Sequence, residues 1–169
     1  TVTGNISKVF EAMGKGALDA TNTPVMGVEG RIEGAEPLLQ KISTIARLID
    51  KSPEWNGGKT VVVAEPAGRK KRIPPLIALG ASTGGPQVLS EVLGRLPSGF
   101  QCPLIVVQHV DAMFAKGLAE WLDERTPLAV KVAVSGAHPE AGTVLIAETN
   151  DHLIMTRDLS VDYTAEPCD

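Results

Sequence analysis

The sequence has little cysteine, no excess of positive charge and no long hydrophobic run. Its two cysteines, Cys102 and Cys168, are too few and too scattered for a disulfide framework or a zinc site. The net charge of −4 argues against sequence-independent nucleic-acid binding, which requires a basic surface. No apolar run is long enough to cross a bilayer, and no signal peptide is recognisable. We therefore expect a cytoplasmic protein that neither binds nucleic acid nor inserts into a membrane.

Metal-ligand spacing is also missing. The three histidines, His109, His138 and His152, are too far apart in the chain to form a recognisable ligand set. His138 stands in a Ser-Gly-Ala-His-Pro turn, where simple exposure is the ordinary interpretation. His152 opens a strand after a tight turn, which leaves its proximity to a site open. We expect neither a metal nor another cofactor.

The composition that remains is typical of a soluble globular protein, with 43% apolar and 21% charged residues. A length of 169 residues suits one ordinary domain or two small ones. The first fifty residues predict a helix capped by Ser7 and ending at Gly14, a short strand at 17–24, and a helix from Pro37 to Lys51. These elements cannot enclose a core alone, so they indicate the end of a larger α/β domain.

Residues 52–75 have the proline, glycine and charge content of a linker. The basic run at 69–72 is interpreted as part of that solvated linker, because the chain as a whole is acidic. From residue 76, alternating strand and helix patterns predict an open, mostly parallel, doubly wound α/β sheet with an antiparallel excursion. The predicted strands are 76–79, 104–108, 128–134, 143–147, 152–156 and 160–164, and the predicted helices follow Ser82 and cover 113–122.

The stretch from Leu76 to Pro86 carries the strongest chemical signal. A buried strand breaks at Gly80, and Pro86 suits the first turn of a helix, so Gly80-x-Ser82-x-Gly84 has the strand–turn–helix context of a nucleophile elbow. Side chains with a Cβ would crowd so tight a bend. The N-terminus of the following helix would favour an oxyanion. Ser82 is therefore a candidate nucleophile.

Two other interpretations of this turn stay open. One is a structural turn without any ligand. The other is a dinucleotide-binding loop, which is disfavoured because Ser82 occupies the middle-glycine position and because the next strand ends in Gln108-His109 rather than in an acidic residue. A Walker-type phosphate loop is excluded, since no Gly-Lys-Ser/Thr follows.

His109 is the candidate partner of Ser82. Both residues follow predicted strands, and the carboxyl ends of parallel strands lie at one edge of the sheet, so neighbouring strands would bring the hydroxyl and the imidazole together. The histidine would then take the serine proton and return it to the leaving group. Asp111 follows His109 too closely to orient the ring except through an unusual loop. The residues alone do not identify a third triad member.

These motifs resemble the CheB family of chemotaxis protein-glutamate methylesterases. The resemblance rests on Leu79-Gly80-Ala81-Ser82-Thr83-Gly84-Gly85-Pro86, Val107-Gln108-His109-Val110, and Val144-Leu145-Ile146-Ala147 with Asn150-Asp151-His152-Leu153. By resemblance, residues 1–51 are the C-terminal part of a response-regulator receiver domain, 52–75 an interdomain linker, and 76–169 the N-terminal part of the esterase domain. The stretch from Phe10 to Pro24 is most similar to the WspF branch, which serves surface sensing.

The resemblance implies hydrolysis of glutamate γ-methyl esters on a methyl-accepting chemoreceptor, with glutamine deamidation in some members. It implies Ser82 as nucleophile, His109 as general base, and the backbone N–H of Thr83 as an oxyanion donor. It also implies regulation by a CheA-like histidine kinase through the receiver domain. The alternative is a non-catalytic signalling module that acts by protein–protein contact.

Two family features are expected to lie outside this chain. The family's catalytic aspartate belongs to a downstream Gly-Met-Gly-x-Asp-Gly segment, and the receiver's phospho-accepting aspartate would precede Thr1. Thr23 also stands where most receivers have a lysine before the proline, which departs from ordinary phosphoryl sensing. We therefore expect a fragment that is nearly inactive on its own.

Overall fold

The computed structural model describes residues 4–50 and 75–165. The first range contains helix α1 (Ile6–Gly14), strand β1 (Val25–Met26), a 3₁₀ turn (Val28–Gly30), strand β2 (Ile32–Glu33) and helix α2 (Ala35–Asp50). The second contains β3 (Ile77–Ala81), α3 (Gly85–Gly94), β4 (Leu104–Gln108), α4 (Ala112–Asp123), β5 (Ala129–Ala133), β6 (Thr143–Ala147), β7 (His152–Met155) and β8 (Val161–Thr164).

A four-stranded parallel sheet organises the second range, with the strand order β3-β4-β6-β5. Strand β4 lies inside the sheet, and its residues Leu104, Ile105 and Val106 are all buried. A continuous apolar run is typical of a parallel strand that is covered on both faces. The predicted mostly parallel α/β sheet is confirmed.

Helices α1, α3 and α4 cover one face of this sheet. Phe10 of α1 shares a buried cluster with Leu93 of α3 and Leu118 of α4. The rings of Phe10 and Trp121 lie 6.0 Å apart, and the Arg125 guanidinium lies 4.5 Å from the Trp121 ring centre. Helix α1, which the family resemblance would place in a receiver domain, therefore contributes to the same core as the helices of the second range.

The other face of the sheet is covered by the β7–β8 hairpin. Val161 of β8 packs with Ile105, Ala133 and Leu145 in a second buried cluster. The two strands of the hairpin are antiparallel, which is the antiparallel excursion that the sequence predicts. Within the described residues this face carries a hairpin, whereas a doubly wound fold would place helices there.

The strand predicted at 17–24 is wrong. This stretch does not pair with a strand among the described residues. Instead, Lys41 of α2 donates to the Ala20 carbonyl at 2.6 Å and forms an ion pair with Asp19. Strand β1 begins only after Pro24. The predicted cap at Ser7 is also displaced, since Asn5 is the N-cap of α1. Residues 52–74 of the predicted linker and Cys168 lie outside the described residues.

Candidate active site

Ser82 stands at the first position of a tight turn after β3. The Gly85 N–H donates to the Ser82 carbonyl at 2.7 Å, and Gly84 has φ 78° and ψ −6°. These values are those of the third residue of a type II turn, a position that favours glycine because a Cβ is strained there. Helix α3 begins at Gly85 with Pro86 in its first turn, as the sequence predicts.

His109 directly follows β4, the strand that pairs with β3. The last register pair of the two strands is Ala81 with Gln108, and the His109 N–H donates to the Ala81 carbonyl at 2.8 Å. The Ser82 Oγ and His109 Nδ1 atoms are 3.5 Å apart. This is long for a hydrogen bond, but serine–histidine pairs are often looser before substrate binds. The predicted meeting of the two side chains is confirmed.

The direction of the imidazole decides which tautomer the site needs. For His109 to take a proton from Ser82 through the Nδ1 atom that faces it, Nδ1 has to be free and Nε2 has to carry the ring hydrogen. Among residues 4–50 and 75–165, no carboxylate bonds Nε2. Asp111 is used elsewhere, since its carboxylate accepts the Met113 N–H at 3.1 Å and caps α4.

Gln108 is a site residue that the sequence reasoning missed. Its Nε2 donates to the Ser82 carbonyl at 2.9 Å and to the His109 carbonyl at 3.3 Å. Its Oε1 is buried and has no hydrogen-bond partner among the described residues. A signal was available, because a polar residue ends an otherwise apolar strand immediately before His109. The sequence analysis used Gln108 as evidence against dinucleotide binding and as part of the family motif, but gave it no role in the site.

The glycines of the elbow have unequal roles. An added Cβ at Gly85 would lie 2.1 Å from the Gln108 Oε1 atom and 2.8 Å from the Ala81 Cβ, so this position has no space for a side chain. At Gly80 an added Cβ would meet no described atom within 4 Å. The expectation that the bend excludes a Cβ is therefore wrong for Gly80, which lies within β3 rather than in the turn.

The backbone N–H groups of the elbow differ in their availability. The Gly84 N–H donates to the Leu18 carbonyl at 3.0 Å. Among the described residues, the Thr83 N–H makes no hydrogen bond. It lies between Ser82 and the N-terminus of α3, where the partial positive charge of a helix is located. This N–H is free to bind an oxyanion.

An open cleft of about 370 Å³ lies beside Ser82. Its walls are the end of β3, the elbow, and the α3 side chains Val88, Leu89 and Val92. Val88 and Val92 are exposed. The cleft could therefore hold an apolar or uncharged substrate group next to the serine hydroxyl.

The loop after β6 is tied to its neighbours at the same edge of the sheet. The Tyr163 hydroxyl donates to the Ala133 carbonyl at 2.6 Å and accepts the Glu148 N–H at 2.9 Å. Partial burial raises the pKa of the Tyr163 hydroxyl above its ordinary value. The Asn150 Oδ1 accepts the Ala112 N–H at 3.1 Å. These bonds tie the loop to the end of β5, to β8 and to the start of α4.

In the described part of the chain, neither of the other two histidines hydrogen-bonds to Ser82 or His109. His138 is exposed in its turn, and His152 is exposed at the start of β7, opposite Thr164. No group of His, Cys, Asp or Glu in the described ranges could hold a metal ion. None of the helices described is both long and apolar enough to span a bilayer.

Comparison with known proteins identifies the family. A family model described as CheB methylesterase matches residues 77–168, which is more than half of the chain. A Burkholderia lata protein named protein-glutamate methylesterase/protein-glutamine glutaminase 1 is 48% identical over 96% of this chain and 47% of its own length. A Pseudomonas aeruginosa protein named protein-glutamate methylesterase/protein-glutamine glutaminase 3 is 45% identical over 96% of this chain and 48% of its own length.

The chain thus spans about half the length of these curated relatives. A solved structure gives the same result for the fold. The crystal structure of the Thermotoga maritima CheB methylesterase catalytic domain matches with a TM-score of 0.51 and 34% identity, over 58% of this chain and 52% of that one. The chain belongs to the CheB methylesterase family.

Proposed function

We propose that the full-length protein containing this chain hydrolyses glutamate γ-methyl esters on a methyl-accepting chemoreceptor, with Ser82 as the nucleophile. The observation that carries the proposal is the 3.5 Å approach of the Ser82 Oγ to the His109 Nδ1 at the carboxyl edge of the sheet. The names of the relatives include both methylesterase and glutaminase, which supports an acyl-transfer reaction on glutamate or glutamine side chains.

The reaction begins when the Ser82 Oγ attacks the ester carbonyl and His109 Nδ1 takes the hydroxyl proton. The resulting oxyanion accepts a hydrogen bond from the free Thr83 N–H near the N-terminus of α3. The C–O bond to the methoxy group then breaks, and the imidazolium gives its proton to the departing methanol. An acyl-enzyme on Ser82 remains.

Water completes the cycle. His109 takes a proton from the water, whose oxygen attacks the acyl carbon, and the Ser82–acyl bond breaks as the proton returns to the serine oxygen. The product is a receptor glutamate. The same steps on a glutamine side chain would release ammonia in place of methanol, and the cleft of about 370 Å³ beside Ser82 has room for either uncharged group.

The imidazole needs a third group that holds it in the required tautomer. We propose that this aspartate comes from a segment outside the described residues, because no carboxylate within them bonds the His109 Nε2 and because Asp111 caps α4.

Residues 1–51 are proposed to belong to a receiver domain that a CheA-like kinase phosphorylates, joined by the linker 52–75 to the esterase part 76–169. The proposed location is the cytoplasm.

Methanol release from methylated receptor by the full-length protein tests the proposal. Ser82→Ala should lower the rate by at least about 10⁴-fold, because it removes the attacking atom. The control is Ser98→Ala, which changes an exposed serine in the loop after α3 and should leave the rate unchanged. Undiminished release by Ser82→Ala would refute the esterase role. A non-catalytic signalling module would then be favoured.

A further inference from the structure

The side chain of Gln108 joins the two reactive residues through their backbones. Its Nε2 lies 2.9 Å from the Ser82 carbonyl oxygen and 3.3 Å from the His109 carbonyl oxygen. The Ser82 carbonyl also accepts the Gly85 N–H at 2.7 Å. Two donors therefore fix the direction of this carbonyl, one from the turn itself and one from the neighbouring strand.

The direction of the Ser82 carbonyl determines the direction of the Thr83 N–H. The two groups belong to one peptide unit, which is planar and trans, so the N–H points opposite to the carbonyl. A donor that holds the carbonyl thereby aims the N–H. Hydrogen bonding to the carbonyl also polarises the peptide unit, which makes its N–H a better donor.

The packing around Gln108 keeps its amide in this position. The Oε1 atom is buried without a described partner, and only a residue without a Cβ at position 85 leaves space for it. An unpaired buried carbonyl oxygen costs free energy of folding. Such a cost is often found where a side chain serves the reaction rather than stability.

We propose that Gln108 is a positioning residue that holds the Ser82–Thr83 peptide unit and so aims the Thr83 N–H at the oxyanion. This inference rests on the proposed esterase function and adds a residue to its mechanism. Gln108 itself does not touch the substrate. It acts on the stage at which negative charge develops, so its loss affects kcat more than KM.

Two substitutions in the full-length protein test the role. Gln108→Glu keeps the shape of the side chain, but its ionised carboxylate cannot donate to the two carbonyls and repels them. Gln108→Met removes both donors without adding charge. For each variant at pH 8 we expect kcat for methanol release to fall about 10- to 100-fold with KM little changed, somewhat less than the loss of an entire oxyanion donor.

The pH dependence separates positioning from simple damage. A carboxyl group that is partly buried and faces two carbonyl oxygens has a raised pKa, and its protonated form is again a donor. The kcat of Gln108→Glu relative to the unchanged protein should therefore rise as the pH falls from 8 to 6. The same ratio for Gln108→Met should stay flat.

Gln101→Glu is the matched control, because Gln101 is an exposed glutamine that precedes β4 and whose amide also donates to a backbone carbonyl, that of Gly99, and its kcat should be unchanged. If Gln108→Met does not fold, Gln108→Asn replaces it, since its amide is one methylene too short to reach the Ser82 carbonyl. Unchanged kcat in the Gln108 variants overturns the positioning role, as does a loss that is independent of pH in Gln108→Glu. Ser82→Ala in the same assay distinguishes this result from failure of the esterase proposal itself.

Discussion

Strands β3 and β4 are neighbours, and Ser82 and His109 follow them at the same end, yet the two strands differ in how much solvent they contact. Leu104 of β4 is 2% exposed, whereas its register partner Ile77 of β3 is 36% exposed. Strand β4 has a neighbour on each side, and in the described part of the chain β3 pairs with β4 alone. Among residues 75–165, the histidine thus follows an interior strand, and the serine follows a strand at the edge of the sheet.

The end of β3 also has two hydrogen bonds to β4 beyond the strand ladder. An interior strand is held by packing on both faces and by two ladders, but an edge strand has only one ladder. Beyond the register pairs, the β3 end is tied by His109 N–H to the Ala81 carbonyl and by the Gln108 amide to the Ser82 carbonyl. Both bonds come from residues at the end of β4, so the position of the serine depends on the alignment of β3 with β4.

The largest expected effect concerns the residue at the end of β4. In the full-length protein, His109→Asn should lower the rate of methanol release by about 10²- to 10⁴-fold, because an amide cannot take the serine proton. His138→Asn is the matched control, since that histidine is exposed in a turn. A His109→Asn variant that keeps more than a tenth of the rate would mean that the end of β4 supplies no base.

The next effect tests the two strands themselves. Leu104→Ala should lower the free energy of unfolding by about 2–5 kcal/mol, because it opens a cavity in a closed core. Ile77→Ala, at the paired position, should cost about 1 kcal/mol, because much of that side chain already contacts solvent. Denaturant unfolding of the 169-residue chain, in which this exposure is seen, measures both values. Equal losses would contradict the contrast between an interior and an edge strand.

The smallest effect separates two glycines near the end of β3. Gly84→Ala should cost about 1–2 kcal/mol of unfolding free energy, because Gly84 has φ 78° and an L-residue is strained there. Gly80→Ala should be neutral or slightly stabilising, because its Cβ has open space and alanine lowers the entropy of the unfolded chain. Thermal unfolding of both variants checks the order. A larger loss of stability for Gly80→Ala than for Gly84→Ala would contradict the open space described around Gly80 in β3.

Much of the architecture was predictable from the sequence because it depends on local patterns. The apolar run of β4, the helix after Pro86 and the elbow at Ser82 each have a signal within a few residues. The approach of His109 to Ser82 followed from one further rule, that parallel strands end at a common edge. The roles assigned to these two side chains stay predictions until the rate measurements are made.

The features that sequence reasoning missed depend on contacts between distant segments. The stretch 17–24 looks like a strand, but Lys41 binds its backbone and no described strand pairs with it. The role of Gln108 depends on the register that sets it opposite Ala81. Nothing in the local pattern specifies which carbonyl a glutamine amide will reach, since that is decided by strand alignment and by the absence of a Cβ at Gly85.

The pairing of Ala81 with Gln108 also limits how the gene can change length. One codon inserted within β4 would shift the register by one residue, so that a side chain pointing to the other face of the sheet replaces Gln108 opposite Ala81. The same shift would move His109 out of alignment with Ser82. Codons added to the connection between α3 and β4, which runs over the surface, would leave that alignment intact. Insertions and deletions that preserve the reaction should therefore accumulate in the connections and be absent from the two strands.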